Sequence, residues 1–405
     1  MIETIFLFDD ASWREQLLPL VATRPVSDLR VGIFTIAQKW RSFAGDRSIY
    51  YLTADYLMEK YGKQLPEAKS AVIIKGNVLP TDALFKAIAA LPIGSVLMQE
   101  EQWIACHIHT TGIFSESDIS TLQAVAFREF VQFIHYPEDI FMANAAEISA
   151  DLRHIDHYSS VETLPQGNTY HGDKILMEGA HTFCSVTLHS EDGAIYIGAG
   201  AIIEDGVYIK GPAAICAGAR VKTGARIYPN VTIGPGSTVC GEINNTVIWG
   251  NSAKGHEGYL GCAVIGEGCN LGAGTSNSNL RNDWKNVSLY DYAEKDYRNT
   301  GLQKCGLIMG DFTMVAIHTR FTTGTVIGVG AQIAISKFVP KFVPDFAWLT
   351  DDRSEAYHLD KFLAMMQRRD AKKINTMNPV DSRIFEYQHA DTENVRKEYL
   401  YKLSK

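Results

Sequence analysis

The chain has little that could hold it together covalently. Its 405 residues include seven cysteines, an odd number, scattered at Cys106, Cys184, Cys216, Cys240, Cys262, Cys269 and Cys305 with no Cys-x-x-Cys pair. That argues against a disulfide framework or a structural zinc site, and for a compartment that keeps thiols reduced. Basic residues are in the minority, 38 Lys and Arg against 46 Asp and Glu, for a net charge of −8. A general polyanion binder is disfavoured, so no nucleic acid is expected as a partner, although local basic pockets for phosphorylated substrates stay compatible with that balance. No apolar run approaches membrane-spanning length. Met1–Asp10, a short apolar run ending in two acids, has no basic start and no small-residue cleavage site, so it does not read as a signal peptide. A cytoplasmic enzyme without a membrane partner is the expectation.

What the chain does have is a rhythm. From Ile197 an aliphatic residue stands at every sixth position: Ile203, Ile209, Ile215, Val221, Ile227, Ile233 and Val239 follow. The phase returns at Ile265 and Leu271, and again from Val315 through Phe321, Ile327 and Ile333 to Val339. A period of six fits neither a helix nor an alternating strand. It is the mark of hexapeptide repeats, whose short strands wind into a parallel β-helix of triangular section. Fourth positions are turn-like (Gly200, Gly206, Pro212, Gly218, Gly224, Gly236) and fifth positions small or β-branched, so each coil sends one large residue inward and turns a corner beside it.

Around that domain the pattern changes. Thr4–Phe8, Ala71–Lys75 and Gly94–Gln99 read as buried strands. Phe34–Phe43 and Asp82–Leu91 read as helices, the second capped by Thr81 or Asp82. Strands alternating with helices predict a parallel sheet with helices on its faces. Phe127 to Asp156 reads as a helix-rich connector. The expected domains are 1–145 (α/β), 146–174 (helical linker), 175–340 (β-helix) and 341–405 (helical tail). Leu359, Phe362, Leu363 and Met366 form one apolar stripe expected to cap the open end of the repeat array. Arg368, Arg369, Lys372 and Lys373 beside it read as a solvated face. One long polar loop, Asn277 to Cys305, interrupts the repeats, and such a loop is functional or disordered.

The suggestive chemistry lies where the rhythm breaks, between Glu242 and Ile308. The break carries Lys254-Gly255-His256-Glu257-Gly258-Tyr259-Leu260-Gly261, then Asn270-Leu271-Gly272-Ala273-Gly274-Thr275, Asn279 and Lys285. A histidine in a glycine-rich corner reaches a cleft with little hindrance, and its near-neutral titration suits removal of a proton from an attacking amine or hydroxyl. Gly272, Ala273 and Gly274 allow close approach to the backbone, whose amides could face a developing oxyanion.

This constellation resembles the acetyltransferase domain of the bifunctional UDP-N-acetylglucosamine pyrophosphorylase/glucosamine-1-phosphate N-acetyltransferase family, over roughly Ile195 to Ile335. The resemblance implies a left-handed parallel β-helix and a homotrimer with acetyl-CoA bound between neighbouring β-helices. It implies His256 as the general base that deprotonates the sugar amine. It implies Tyr259, Asn270, Asn279 and Lys285 as contacts to the sugar and its phosphate, and Ala273 as a backbone contact near the acetyl group. Arg226 is the nearest match to the family's phosphate-binding basic residues; Asn244 stands where a lysine is expected. Glu257, Gly258 and Cys262 also depart from the family pattern. A γ-type carbonic anhydrase would need two histidines five residues apart, which the repeat domain lacks. His107/His109 and His154/His157 have no third ligand in view, so no metal site is expected.

The amino-terminal part resembles sugar-1-phosphate nucleotidyltransferases, a Rossmann-like α/β class. Leu17-Leu18-Pro19-Leu20 and Thr23-Arg24-Pro25-Val26 follow a position where that family has a Gly-rich phosphate loop, yet Asp9–Arg14 contains no glycine. Arg14 and Arg24 would have to act as charge clamps on the nucleotide. Gly76-Asn77 stands where a carboxylate holds magnesium, and neutral Asn77 is a poorer ligand. The order of Arg24–Val26, Leu29–Gly32, Gly76–Pro80 and Pro137–Phe141 resembles a divergent bacterial group with both activities proposed. The expected function is acetyl transfer from acetyl-CoA to glucosamine-1-phosphate or a related aminosugar phosphate, with UTP as a further substrate of the first domain and Mg2+ as its cofactor. Two alternatives stay open: a nucleotidyltransferase using UTP or dTTP with a structural β-helix, and a non-catalytic sugar-nucleotide sensor.

Overall fold

The computed structural model describes residues 4–62, 70–109, 114–155, 164–179, 181–370 and 378–403. Two compact units emerge. The first takes the chain up to Leu17, Thr23–Leu29 and Phe34–His135; the second takes Leu18–Ala22, Arg30–Ile33 and everything from Tyr136.

In the first unit, β1 (Thr4–Phe8), α1 (Ala11–Arg14), α2 (Ile36–Ala44), β2 (Ser48–Leu52), α3 (Asp55–Tyr61), β3 (Ser70–Lys75), α4 (Asp82–Ala89), β4 (Ser95–Gln99), β5 (Gln102–His109) and β6 (Gln123–Ala126) form a six-stranded sheet with helices, in strand order β2-β1-β3-β5-β4-β6. The caps are local. Thr81 Oγ1 accepts from the Leu84 amide at 3.1 Å at the start of α4, and Thr35 and Gln38 form a reciprocal box at the start of α2. The sheet is not purely parallel as the strand–helix alternation predicts: β1 runs parallel to β2 and β3, but β5 is antiparallel to both β3 and β4. Two strands separated by two residues can only fold back as a hairpin. The turn there uses Glu100 at φ 53 instead of a glycine or asparagine, so the usual hairpin signal is absent.

The second unit opens with α5 (Pro137–Asp151). The connector is thus helical only from Pro137, not from Phe127. Tyr136 before the proline is extended, and its amide bonds the Asp139 carboxylate at 2.9 Å; proline at the first helical position starts the helix there. This helix packs on the strands Glu242–Ile248 and Tyr259–Ile265. Asn144 Oδ1 accepts from the Gly32 amide at 2.8 Å and from Thr232 Oγ1 at 3.0 Å, pinning α5 to the wall of the β-helix.

The β-helix is as the period demands. Each strand pairs in parallel with its counterpart one coil away, so Ile209, Ile227, Ile243 and Leu260 stack in one row, and Ile203, Val221 and Val239 in another. These side chains belong to one continuous buried core. Non-directional burial of aliphatic surface stabilises it, at about 25 cal/mol per Å2 of apolar area removed from water.

The polar interruption Asn277–Cys305 is folded. It contains a hairpin, Ser288–Asp291 with Asp296–Asn299. Arg298 fastens that hairpin: its guanidinium bonds Glu138 at 2.6 Å and Asp291 at 3.3 Å, and lies 3.6 Å over the Tyr136 ring. Both carboxylates are buried, where such pairing is strongest.

The tail forms α6 (Leu359–Asp370), α7 (Pro379–Asp391) and α8 (Glu393–Leu403). Phe362 and Met366 of the expected stripe cluster with Val329, Phe346 and Phe385, and α8 packs against the strand Ser354–Ala356. Arg369 departs from the solvated face expected of it: its guanidinium donates to the Gly268 carbonyl at 2.6 Å. Lys372 and Lys373 lie outside the described residues. No helix of the described residues is long and apolar enough to cross a membrane.

Candidate active site

His256 stands exposed at a corner of the β-helix, between the strands Ala253–Lys254 and Tyr259–Ile265. The corner is tight because it needs glycine at Gly258, whose φ is 120° and whose added Cβ would lie 2.2 Å from the Thr275 carbonyl oxygen. It stacks directly on the next coil: the Gly274 amide donates to the Glu257 carbonyl at 3.2 Å. The exposed His256 and the half-buried Gly272–Gly274 turn therefore lie one coil apart.

Beside the corner, Tyr259 and Asn279 meet. The Asn279 Nδ2 donates to the Tyr259 hydroxyl at 2.9 Å and approaches Cys262 Sγ at 3.4 Å. Half-buried, Tyr259 has its phenol pushed up mainly by desolvation, with the nearby Cys262 adding to the shift and the Asn279 bond opposing it; it remains a neutral donor at physiological pH. The ring lies over Gly261, where an added Cβ would come within 2.1 Å of its hydroxyl. Gly261 itself is clamped by Asn277, which accepts from its amide at 2.8 Å and donates to its carbonyl at 2.9 Å.

Arg226 shares this face. The ladder aligns Arg226 with Glu242, and Glu242 with Tyr259, as successive rungs. Its guanidinium, however, reaches the Glu242 carboxylate at 3.3 Å. A pair this exposed contributes about 0–1 kcal/mol, so a phosphate could displace the carboxylate at little cost. Asn270 stands on the neighbouring face, paired with Ala253 on one side and Met314 on the other, with its side chain exposed. Lys285 is exposed on the polar loop, past the Arg281–Asp283 ion pair. The Ala273 carbonyl is taken by the His318 amide at 2.6 Å. The tyrosine and the asparagine are thus in contact within one chain, whereas Asn270, Lys285 and Arg226 are distributed around them.

Two features of the site carry no motif signal. His318, at φ 55, lies against Gly274, where an added Cβ would be 2.4 Å from its Nδ1. Lys254 is buried, 2% exposed, on a rung where the rhythm calls for an aliphatic residue, and burial pushes its ammonium down to about 8. A signal for Lys254 existed: it falls six residues after Ile248 and six before Leu260, in phase with the core.

In the first unit, Arg14 is 6% exposed and committed to neighbours. It bonds Asp9 at 2.8 Å, the Arg24 carbonyl at 2.9 Å and the Tyr56 hydroxyl at 3.1 Å. The Asp9 carboxylate also accepts from the Val26 amide at 2.6 Å. Burial raises the Asp9 carboxyl, and the Arg14 charge opposes that shift. Arg24 is buried too. Asn77 donates to the Ile134 carbonyl at 3.1 Å, and its Oδ1 is buried without a partner. Neutral Asn77 does not make a magnesium site from the protein's own donors, and among the described residues no three His, Cys, Asp or Glu side chains converge. His107 bonds the Leu91 carbonyl at 2.8 Å and Ser70 Oγ at 3.3 Å; His157 lies outside the described residues.

Comparison with known proteins adds partial likenesses. Residues 5–159 match the family model for sugar nucleotidyl transferases. The chain is 33% identical over 100 residues to the bifunctional protein GlmU of Methanocaldococcus jannaschii, covering 25% of this chain and 24% of that one. To the GlmU of Methanococcus aeolicus it is 35% identical over 123 residues, 29% of each. A bifunctional sugar-1-phosphate nucleotidylyltransferase/acetyltransferase of Sulfurisphaera tokodaii is 31% identical over 153 residues, 32% of this chain and 37% of that one. The chain thus spans about a quarter to a little over a third of the length of these relatives. Among solved structures, the polySia-specific acetyltransferase NeuO aligns over 51% of this chain and 96% of its own at 16% identity and a TM-score of 0.24. The Francisella novicida UDP-N-acetylglucosamine acyltransferase aligns over 56% and 84% at 12% identity and a TM-score of 0.28. At such scores the strand registers, not these likenesses, establish the β-helix. The chain is thus similar to sugar nucleotidyl transferases over residues 5–159 and to bifunctional GlmU proteins over about a quarter to a third of its length.

Proposed function

We propose that the protein transfers acetyl from acetyl-CoA to the amine of an aminosugar-1-phosphate, glucosamine-1-phosphate being the first candidate. The observation that carries this reading is the exposed His256 at a backbone-rich corner, beside a tyrosine and an asparagine already hydrogen-bonded to each other. In the reaction the amine nitrogen attacks the thioester carbonyl as His256 takes its proton. The tetrahedral oxyanion collapses, the C–S bond breaks, and the thiolate leaves with a proton returned from the imidazolium. Tyr259 and Asn279 would orient sugar hydroxyls. Arg226 and Lys285 would hold the phosphate, Arg226 by exchanging Glu242 for the stronger anion, and Asn270 and Ala273 would contact substrate and acetyl group at the edges of the same cleft.

Asn270 and Lys285 are exposed, on the neighbouring face and on the polar loop, and a neighbouring copy would close over them. Ile202, Ile317 and Phe338 are 51%, 66% and 55% exposed on the flanks of the coils, apolar surface that association would cover. A homotrimer is therefore part of the reading; light scattering on the full chain should report three copies, and a monodisperse monomer would rule the shared site out. A cytoplasmic setting fits the seven free thiols.

The decisive assay incubates the full chain with glucosamine-1-phosphate and acetyl-CoA while free thiol is followed. Sugar-dependent thiol release is expected, and none over the acetyl-CoA blank would remove the acetyl-transfer reading. A second reading, nucleotidyl transfer from UTP or dTTP to a sugar phosphate, is favoured by the family match over residues 5–159. Magnesium would then arrive with the triphosphate, since neutral Asn77 is a poorer ligand for it than a carboxylate. Pyrophosphate release without thiol release would select this second activity. Tight sugar-nucleotide binding with neither product would select a sensor.

A further inference from the structure

Lys254 lies inside the β-helix where the fold calls for a hydrocarbon. Its strand pairs with the one before it so that Lys254 is opposite Val239, itself opposite Val221, and both valines are fully buried. The lysine stem replaces an aliphatic side chain in that column, and the ammonium emerges under the corner that carries His256. There it donates to the His256 carbonyl at 3.0 Å and to the Glu257 carbonyl at 3.2 Å. A second lysine serves the carbonyl just before them: Lys222 Nζ donates to Gly255 at 2.8 Å. Three successive carbonyls of the corner are therefore turned toward lysine ammoniums, and the His256 side chain is left outside.

A core lysine is a poor choice for stability. Taking an ammonium out of water is costly, and carbonyl dipoles compensate only in part. A leucine or methionine would fill the same rung without that penalty. Something other than packing accounts for the charge, and the atoms it touches say what: the two backbone carbonyls that directly follow the imidazole's own Cα.

We propose that Lys254 is a positioning residue for His256, its ammonium holding the His256 and Glu257 carbonyls inward so that the imidazole is presented to substrate in one fixed orientation. The inference rests on the acetyl-transfer reading of His256. Charge-assisted bonds from an ammonium are about twice as strong as neutral ones, so the hold weakens when the lysine loses its proton. The titratable groups around it are Cys240 just past the preceding strand, Glu257 and His256 on the corner, and Lys222 beneath it; Cys240 and Glu257 favour the charged lysine while burial opposes it. The balance leaves its ammonium titrating at about 8, within the working range of an acyltransfer assay.

The test uses the full chain with Lys254→Met, which fills the rung, and Lys254→Arg, which keeps the charge at every accessible pH. Steady-state acetyl transfer is measured from pH 6.5 to 9.5, with hydrogen exchange of the Gly255–Gly258 amides and thermal unfolding alongside. For the methionine variant we expect kcat to fall roughly 10–100-fold, the cost of a slightly misplaced catalytic group, with KM changed far less. Its alkaline limb near pH 8 should vanish and exchange at the corner should quicken. Its Tm at pH 7 should equal or exceed that of the parent. The sign follows from linkage: the folded lysine titrates at about 8, below its unfolded value of 10.5, so the parent gains stability as pH rises between the two and the methionine's advantage shrinks there. Arginine should restore most of kcat without the limb. A methionine variant within twofold of the parent in kcat overturns the proposal, and so does a loss of kcat matched by a loss of Tm. Should the parent release no thiol, the acetyl-transfer reading fails, yet the corner's exchange still decides whether Lys254 holds it. If neither variant folds, the parent's own corner exchange, corrected for base catalysis, must accelerate through pH 8; a flat profile overturns the proposal.

Discussion

Replacing His256 with alanine is expected to lower kcat for acetyl transfer by about 10²–10⁴-fold, the usual worth of a positioned general base. Stability should hardly change, because the side chain is exposed and the corner is held by bonds to its backbone. The measurement is thiol release under saturating acetyl-CoA, with thermal unfolding as the control. His256→Gln should behave like alanine, since an amide can bond the amine but cannot take its proton. Full rate in either variant would sink the assignment of His256, whatever the fate of the wider family reading. Weak rescue of the alanine variant by added imidazole would strengthen it, because the exposed corner leaves room for a small base.

The second large effect lies in the first unit and concerns folding. Asp9→Ala removes the partner of the buried Arg14 guanidinium and the acceptor of the Val26 amide, which it bonds at 2.8 and 2.6 Å. Breaking one half of a buried ion pair costs about 3–5 kcal/mol, since the surviving charge stays desolvated without its counter-charge. Chemical denaturation should therefore show an early transition, with loss of hydrogen-exchange protection over β1 and β3 and not over the β-helix. The double change Asp9→Leu with Arg14→Met should recover the part of that loss due to the lone charge, leaving about 1–3 kcal/mol for the Val26 amide that has lost its acceptor. An Asp9→Ala chain within about 1 kcal/mol of the parent would contradict the pairing seen here. The same geometry bears on the nucleotide. For Arg14 to clamp a phosphate, it would first have to leave Asp9, and the acid that the glycine-free loop supplies is what competes with the ligand.

Much of this was legible without coordinates because a β-helix is a one-dimensional fold. Each coil touches only the coils before and after it, so the six-residue phase already dictates which side chains stack, and Ile209, Ile227 and Ile243 do so as written. The strand Thr4–Phe8 and the Thr81-capped helix were equally local, specified by burial runs and one side-chain cap. The hairpin at Glu100 was not, since its turn residue carries no turn signature. Nor was the start of α5, which the sequence pattern placed within Phe127–Asp156 and which begins at Pro137.

The chain's composition and period by themselves determined that it would wind into coils and where the core column would run, and they marked the stretch between Glu242 and Ile308 as the interruption. They could not say what the polar residues in the column were for. Periodicity reports which way a side chain points, and a lysine or an asparagine in phase with isoleucines looks like a lapse. Only the stacking of coils decided otherwise. It brought the Lys254 ammonium under the His256 corner and the Asn277 amide against Gly261. A hydrogen bond depends on where an atom ends across coils distant in sequence, and that distance is fixed by tertiary packing alone.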